Sequence, residues 1–292
     1  MTADDFYEDV QKEQVEHLIR FRTDHPCKHV DVAGVQWEYI SCGSGSEILL
    51  ILPGGLRIAE CASIYIQMFE DTYRVVAPTY PPLESIDEIT DGIAAILDVE
   101  HVPNAFVLGQ SYGGTVAQVF VQRFPARVRK LILSSTGLPV SKGQAAILPL
   151  ALAVLSSLPE SWAKSLYRKW LSPLLVVPKS ETSFWEAYLD ELFSQRLTKA
   201  DVLSFFQTVR DTIKNYAVDL PGVEPWQGEV LIIGGEKDPS STEGPRTAMA
   251  EFYPHSQVHV IQGAGHLAAM FEPIEYAEVI KEFLKADDQG VS

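Results

Sequence analysis

Ser111, Asp238 and His266 are the side chains of this sequence that could together carry out acyl transfer. Ser111 stands in Gly109-Gln110-Ser111-Tyr112-Gly113, between the apolar run Ala105–Leu108 and a stretch of helical character reaching Phe124. Gly-x-Ser-x-Gly between a strand and a helix is the context in which a serine is raised on a sharp turn as a nucleophile. The turn needs strained backbone, and side chains at 109 and 113 would collide with neighbouring elements. A serine at the start of a helix also faces amide donors, that of Tyr112 among them, which can hold an oxyanion.

A serine hydroxyl is a poor nucleophile without a base. Of the seven histidines, His266 follows the apolar run Val258–Ile261 through Gly263-Ala264-Gly265. It would therefore sit at the C-terminal end of a strand, the same end of the sheet as Ser111. His259 lies inside that run and His101 before a strand, so both read as packing or surface residues. The base needs an acid to fix its tautomer. Asp238, in Gly234-Gly235-Glu236-Lys237-Asp238 after the run Val230–Ile233, is the choice. Glu236 and Glu243 are its rivals, and Asp238 could instead be a turn residue before Pro239. The second oxyanion donor belongs on the loop after the first parallel strand, Leu52-Pro53-Gly54-Gly55-Leu56-Arg57. The Gly55 amide is expected to pair with that of Tyr112, with Leu56 the alternative one residue on. No GxGxxG or Walker pattern supports phosphate binding there.

Elements must bring these residues together. Short apolar runs at Ile48–Leu52, Val75–Ala77, Ala105–Leu108, Leu131–Leu133, Val230–Ile233 and Val258–Ile261 alternate with helix candidates. The helices are expected over Ala59–Glu70, Ser85–Asp98, Gly113–Phe124, Gly244–Phe252 and Ile274–Leu284. Such alternation predicts an α/β fold with a mostly parallel, doubly wound sheet. Two further runs, Lys28–Val32 and Val35–Ser41, flank Ala33-Gly34 and predict an antiparallel hairpin. The sheet thus has about eight strands. Residues 3–22 read as an acidic helix packed on the domain or on a second copy of the chain, which would give a homodimer. Between Ser135 and Glu229 the rhythm breaks into a segment rich in leucine and aromatics, with prolines at 149, 159, 173 and 178. A segment of that length is not structureless in a compact domain; it predicts an inserted helical lid. The expected organisation is an N-terminal extension over 1–27, a core over 28–137 and 216–292, and a lid over 138–215.

Of the 292 residues, 46% are hydrophobic and 21% charged, enough apolar content for a core that needs no disulfide or metal staple. A net charge of −16 argues against nucleic acid and anionic membrane surfaces as partners. Cys27, Cys42 and Cys61 form no CxxC pair, which argues against a disulfide framework and a zinc site. The acidic N-terminus is unlike a signal peptide, and no apolar run reaches the ~20 residues of a membrane span. A cytoplasmic setting is expected.

The segments ILPGG, GQSYGG, GGEKD and GAGHL, in that order, resemble the α/β-hydrolase superfamily over roughly Val35 to Leu284. Tyr73-Arg74-Val75-Val76-Ala77-Pro78-Thr79-Tyr80-Pro81 is also similar to the maspardin branch. Many members carry histidine before the glycine of the oxyanion loop, where this chain has Pro53. Haloalkane dehalogenases and epoxide hydrolases of the superfamily need an aspartate nucleophile, and Ser111 argues against both. The resemblance implies hydrolysis of a carboxylic ester, thioester or carbon–carbon bond without a cofactor, on a small acyl substrate with an apolar portion. It also leaves open a maspardin-like binding protein without catalysis.

Overall fold

The computed structural model describes residues 6–141 and 148–285. Eight strands form one sheet in the order β1-β2-β4-β3-β5-β6-β7-β8. The strands are β1 (Lys28–Val32), β2 (Val35–Cys42), β3 (Ile48–Leu52), β4 (Arg74–Thr79), β5 (Ala105–Gln110), β6 (Val128–Ser134), β7 (Val230–Gly235) and β8 (Ser256–Ile261). From β4 through β8 all neighbours run parallel, while β1 and β2 pair antiparallel and add to β4. The expected hairpin is present, turning at Ala33 and Gly34 with φ of 54° and 84°, the left-handed pair a two-residue hairpin requires.

The apolar runs are buried because helices cover both faces of the sheet. Along β3, Leu50 and Leu52 join one core and Leu49 and Ile51 the other. The first core is closed by α3 (Ile86–Val99) and α4 (Tyr112–Arg123), through Ile89, Ile93, Val116 and Phe120. The second is closed by α2 (Ser63–Phe69) and a C-terminal helix over Pro273–Lys285, through Ile66, Phe69, Tyr276 and Ile280. The expected helix over Ala59–Glu70 is divided, its first four residues forming a tighter 3-10 turn before α2.

The N-terminal helix differs from expectation. It is α1 (Lys12–Asp24), not residues 3–22; residues 3–5 of that expectation lie outside the described residues. Tyr7 instead sits in a turn, with its hydroxyl donating to Glu191 at 2.5 Å. A tertiary contact sets the backbone there.

Between β6 and β7 the described chain forms α5 (Leu148–Ser157), α6 (Glu160–Leu171), α7 (Thr182–Glu191) and α8 (Lys199–Asn215). The prolines behave as punctuation: Pro149 lies in the first turn of α5, where its missing N–H is harmless, and Pro159 caps α6. Pro173 follows the end of α6, and Pro178 precedes the short turn leading into α7. The apolar face of α1 packs on α7, with Leu18 and Tyr7 against Ala187 and Tyr188. The remaining helices are α9 (Glu243–Phe252), α10 (Ala268–Phe271) and α11 (Pro273–Lys285). No helix among the described residues is long and apolar enough to cross a membrane.

Candidate active site

Ser111 occupies the junction between β5 and α4 with φ 54° and ψ −119°, a strained backbone of the kind that clusters at functional sites. Its amide is tied to the Ser134 carbonyl at 2.8 Å, locking the turn to β6. A Cβ on Gly109 would come within 2.4 Å of the Gly113 carbonyl oxygen, and one on Gly113 within 2.0 Å of the Leu52 carbonyl oxygen. Both glycines are therefore steric requirements of the turn.

His266 and Asp238 are brought together as the sequence predicted. His266 Nδ1 lies 3.0 Å from both carboxylate oxygens of Asp238, and the residues are 4% and 1% exposed. With the Nδ1–H directed into the carboxylate, Nε2 is the unprotonated nitrogen of the ring. Burial alone would push the Asp238 carboxyl up. The hydrogen bond and charge of His266, with the Ser240 amide and hydroxyl, outweigh it and hold the carboxyl below its ordinary range. The turn reading of Asp238 also holds: Oδ1 accepts from the Ser240 amide at 2.9 Å and its hydroxyl at 2.8 Å, across Pro239. Ser240 Oγ lies 2.9 Å from His266 Nδ1 as well. No local pattern in the sequence marks Ser240.

The rivals are elsewhere. Glu236 is exposed and accepts the Gly263 amide, and Glu243 is exposed in the first turn of α9. His259 pairs with Glu275 across 2.8 Å, and His101 lies before β5, at the far end of the sheet.

The loop after β3 makes a tight turn, with the Arg57 amide donating to the Gly54 carbonyl at 2.9 Å. Gly55 and Leu56 are its two central residues, whose amides such a turn leaves unbonded. The Gly55 carbonyl accepts from Tyr167 Oη on α6 at 2.6 Å. Tyr112, whose place beside the nucleophile the sequence does not explain, reaches α8 through a 2.7 Å contact with Thr208 Oγ1. Its ring packs on Tyr80 and Phe205. Arg57 is 1% exposed, donates to the Pro81 carbonyl and Ser204, and lies 5.8 Å from the Tyr80 and Tyr112 ring centres. Its Nε and Nη1 have no hydrogen-bond partner among the described residues.

Two cavities meet at Ser111, sharing Gly55, Leu171 and Leu174 in their walls. The smaller, about 60 Å³, is lined by His266, Gln110, Ile64, Tyr65, Leu175 and Met270 among others. The larger, about 780 Å³, runs under α5, α6 and α8 between Leu155, Leu166, Trp170, Phe205, Phe206 and Val209. Ser135, just after β6, lines the larger one with φ 48° and a buried hydroxyl that has no partner among the described residues.

The sequence profile of the alpha/beta hydrolase family matches residues 49–279. The chain belongs to this family. A 2-hydroxymuconate semialdehyde hydrolase of a Pseudomonas species is 22% identical to this hydrolase over 285 residues, 91% of this chain and 96% of the relative. A crystal structure of a meta-cleavage product hydrolase superposes with a TM-score of 0.71 at 21% identity, covering 89% of this chain and 98% of the other. A thermophilic esterase from Thermogutta terrifontis superposes with the same TM-score at 20% identity and the same coverages. At these identities the structural likeness speaks for the fold.

One group away from the cavities brings metal-ligating atoms together: His25, Cys42 and Glu70, within 4.8 Å of one another. His25 Nδ1 donates to the Phe21 carbonyl and Nε2 bonds to Glu70, and burial, together with Glu70, pushes the Cys42 thiol up to about 12. The group is satisfied by its own hydrogen bonds, and a protonated thiol is a poor metal ligand.

Proposed function

We propose that this hydrolase cleaves a carboxylic ester or similar acyl bond through a covalent acyl-enzyme, with Ser111 as nucleophile, His266 as base and Asp238 as the acid that orients it. The observation that carries the reading is the buried Asp238–His266 pair, whose histidine lines the same cavity as a serine held on strained backbone. His266 takes the Ser111 proton as Oγ attacks the carbonyl, and the amides of Gly55 and Tyr112 receive the oxyanion. The leaving group then departs with the proton from His266. Water, deprotonated by the same imidazole, returns the enzyme to its free state. One such amide donor is typically worth about 3 kcal/mol of transition-state stabilisation. The insert between β6 and β7 serves as a lid over the site, since α6 and α8 wall the large cavity and Tyr167 and Thr208 hold the two oxyanion residues.

The relatives favour a second reading: the same triad could hydrolyse a carbon–carbon bond, as the 2-hydroxymuconate semialdehyde hydrolase and meta-cleavage product hydrolase do. Both readings need an activated serine. Intact-mass measurement after treatment with a fluorophosphonate tests it directly. One adduct is expected on the wild type and none on Ser111→Ala or His266→Ala. Folded wild-type protein that stays unlabelled at high probe concentration would remove both.

A further inference from the structure

The two cavities are unequal, and the chemistry assigns a part of the substrate to each. In acyl transfer through Ser111, the carbonyl carbon bears the acyl chain on one side and the leaving group on the other. The leaving atom must receive its proton from His266, so it has to lie on the His266 side. His266 lines the small cavity and is not among the residues lining the large one. A volume of about 60 Å³ holds the equivalent of about five waters. The large cavity, about 780 Å³, is within the range that encloses whole drug-sized ligands.

Charge narrows the class further. Among the described residues, neither cavity is lined by Lys, Arg, Asp or Glu. The polar side chains of the large cavity are the hydroxyls of Ser111, Tyr112, Thr115, Ser135, Thr136, Tyr167 and Ser240 and the indole of Trp170, all of them neutral. Beyond them the walls are leucine, valine and aromatic rings. An ionised carboxylate moved into such walls loses its hydration with no cation to replace it, which is strongly unfavourable. Leu150, Leu166 and Trp170 at the rim are 68%, 47% and 50% exposed, so the entrance is apolar as well.

We infer that the substrate is an ester joining a bulky, uncharged, apolar acyl group, seated in the large cavity, to a small alcohol of one to a few carbons, seated beside His266. This rests on the acyl-transfer reading above. The balance is that of ester hydrolysis. The ester C–O bond breaks and the alcohol leaves with the proton carried by His266. A water then supplies hydroxide to the acyl carbon and its other proton, through His266, to Ser111 Oγ.

The test measures kcat/KM of the full chain by acid release on unactivated esters, with fluorophosphonate labelling in parallel. Methyl esters should improve from acetate to octanoate by up to about fourfold per added methylene, as buried apolar area grows. Replacing methyl by hexyl alcohol at constant octanoate should lower kcat/KM at least tenfold, and monomethyl suberate should be at least a hundredfold worse than methyl octanoate. Ala151→Trp, in the large cavity, should move the acyl optimum to shorter chains. Leu175→Ala, in the small one, should raise turnover of hexyl octanoate relative to methyl octanoate. A labelled enzyme that prefers short acyl chains, long alcohols or the suberate overturns the inference and leaves the serine hydrolase standing. An unlabelled enzyme with no ester turnover overturns both.

Discussion

Tyr167 binds the carbonyl side of a peptide whose neighbouring amide is the proposed oxyanion donor. Its hydroxyl donates to the Gly55 carbonyl at 2.6 Å, and burial raises its pKa, so it remains a neutral donor. The bond fixes the rotation of the turn at Gly54-Gly55-Leu56-Arg57, and glycine cannot fix itself. Tyr167→Phe keeps the ring packed on Phe205 and Phe206 and removes only this restraint. The loss of stability should be about 1 kcal/mol. Catalysis should suffer more, with kcat down about tenfold, less than the hundredfold or greater cost of deleting an oxyanion donor outright. Steady-state kinetics on a short ester separates the two roles of Tyr167. A rise in KM at constant kcat would mean that the side chain only lines the cavity. Arg57 is a second buried group of this kind: a cation with no carboxylate partner among the described residues, stabilised by the rings of Tyr80 and Tyr112.

At the scale of elements, Arg22 adds a polar tie to the apolar packing of Leu18 and Phe21 that seats α1 on the rest. Arg22 donates to Glu60 at 3.0 and 2.9 Å and to Glu191 at 3.0 Å through both Nη atoms. Glu60 lies before α2 and Glu191 at the end of α7, so the guanidinium ties the N-terminal segment to core and insert together. Tyr188 and Arg196 complete the shell around Glu60. Arg22→Ala leaves two buried carboxylates facing each other, which should cost about 3 kcal/mol and lower the melting temperature by roughly 6 °C or more. A melt unchanged within a degree would show that the Arg22 junction carries no net stability. The sequence did not reveal this junction, because Tyr7, Arg22, Glu60 and Glu191 carry no local pattern and meet only in three dimensions. It did reveal β3, β5, β6 and β7, whose apolar runs can be satisfied only between two layers of helices. Ser111 and His266 were legible for a related reason: glycine spacing and position after a strand are local properties. Ser240, Tyr167 and Arg57 act through residues distant in sequence, and polar side chains of that kind look like any surface group until the fold brings them together. The start of the N-terminal helix was misplaced for the same cause, since Tyr7 lies in a turn whose side chain is bonded to the distant Glu191.

Across the whole molecule the charge of −16 makes acid stability a balance of two opposing trends. Acidification from neutrality first relieves repulsion among surface carboxylates and should stabilise the fold. Glu100 works the other way. It ends α3 and accepts from Lys28 at 2.9 Å, Tyr39 at 2.7 Å, Ser41 at 2.9 Å and Arg74, so that one carboxylate joins α3 to β1, β2 and β4. Burial raises its pKa, but the bonds from Tyr39, Lys28 and Ser41 and the charge of Lys28 outweigh it and pull it from 4.5 to about 2. A carboxyl with a depressed folded-state pKa contributes stability that is complete above its unfolded pKa and is lost as pH falls toward the folded one. The wild-type melting temperature should therefore fall steeply between pH 4.5 and 2. Glu100→Gln should be less stable at pH 7 yet have a flatter curve in that window, so that the gap between the two proteins closes with acid. Asp238 is also held below its ordinary value by His266 and Ser240, so its contribution too is lost with acid. Asp238→Asn in the Glu100→Gln background should flatten the curve further, because the two carboxyls are in separate networks and their contributions add. Parallel melting curves for wild type and Glu100→Gln from pH 7 to 2.5 would mean that the Glu100 network carries no proton-linked stability, and the acid limit of the fold would then have to be sought in Glu60, whose carboxyl Arg22 holds down against its burial.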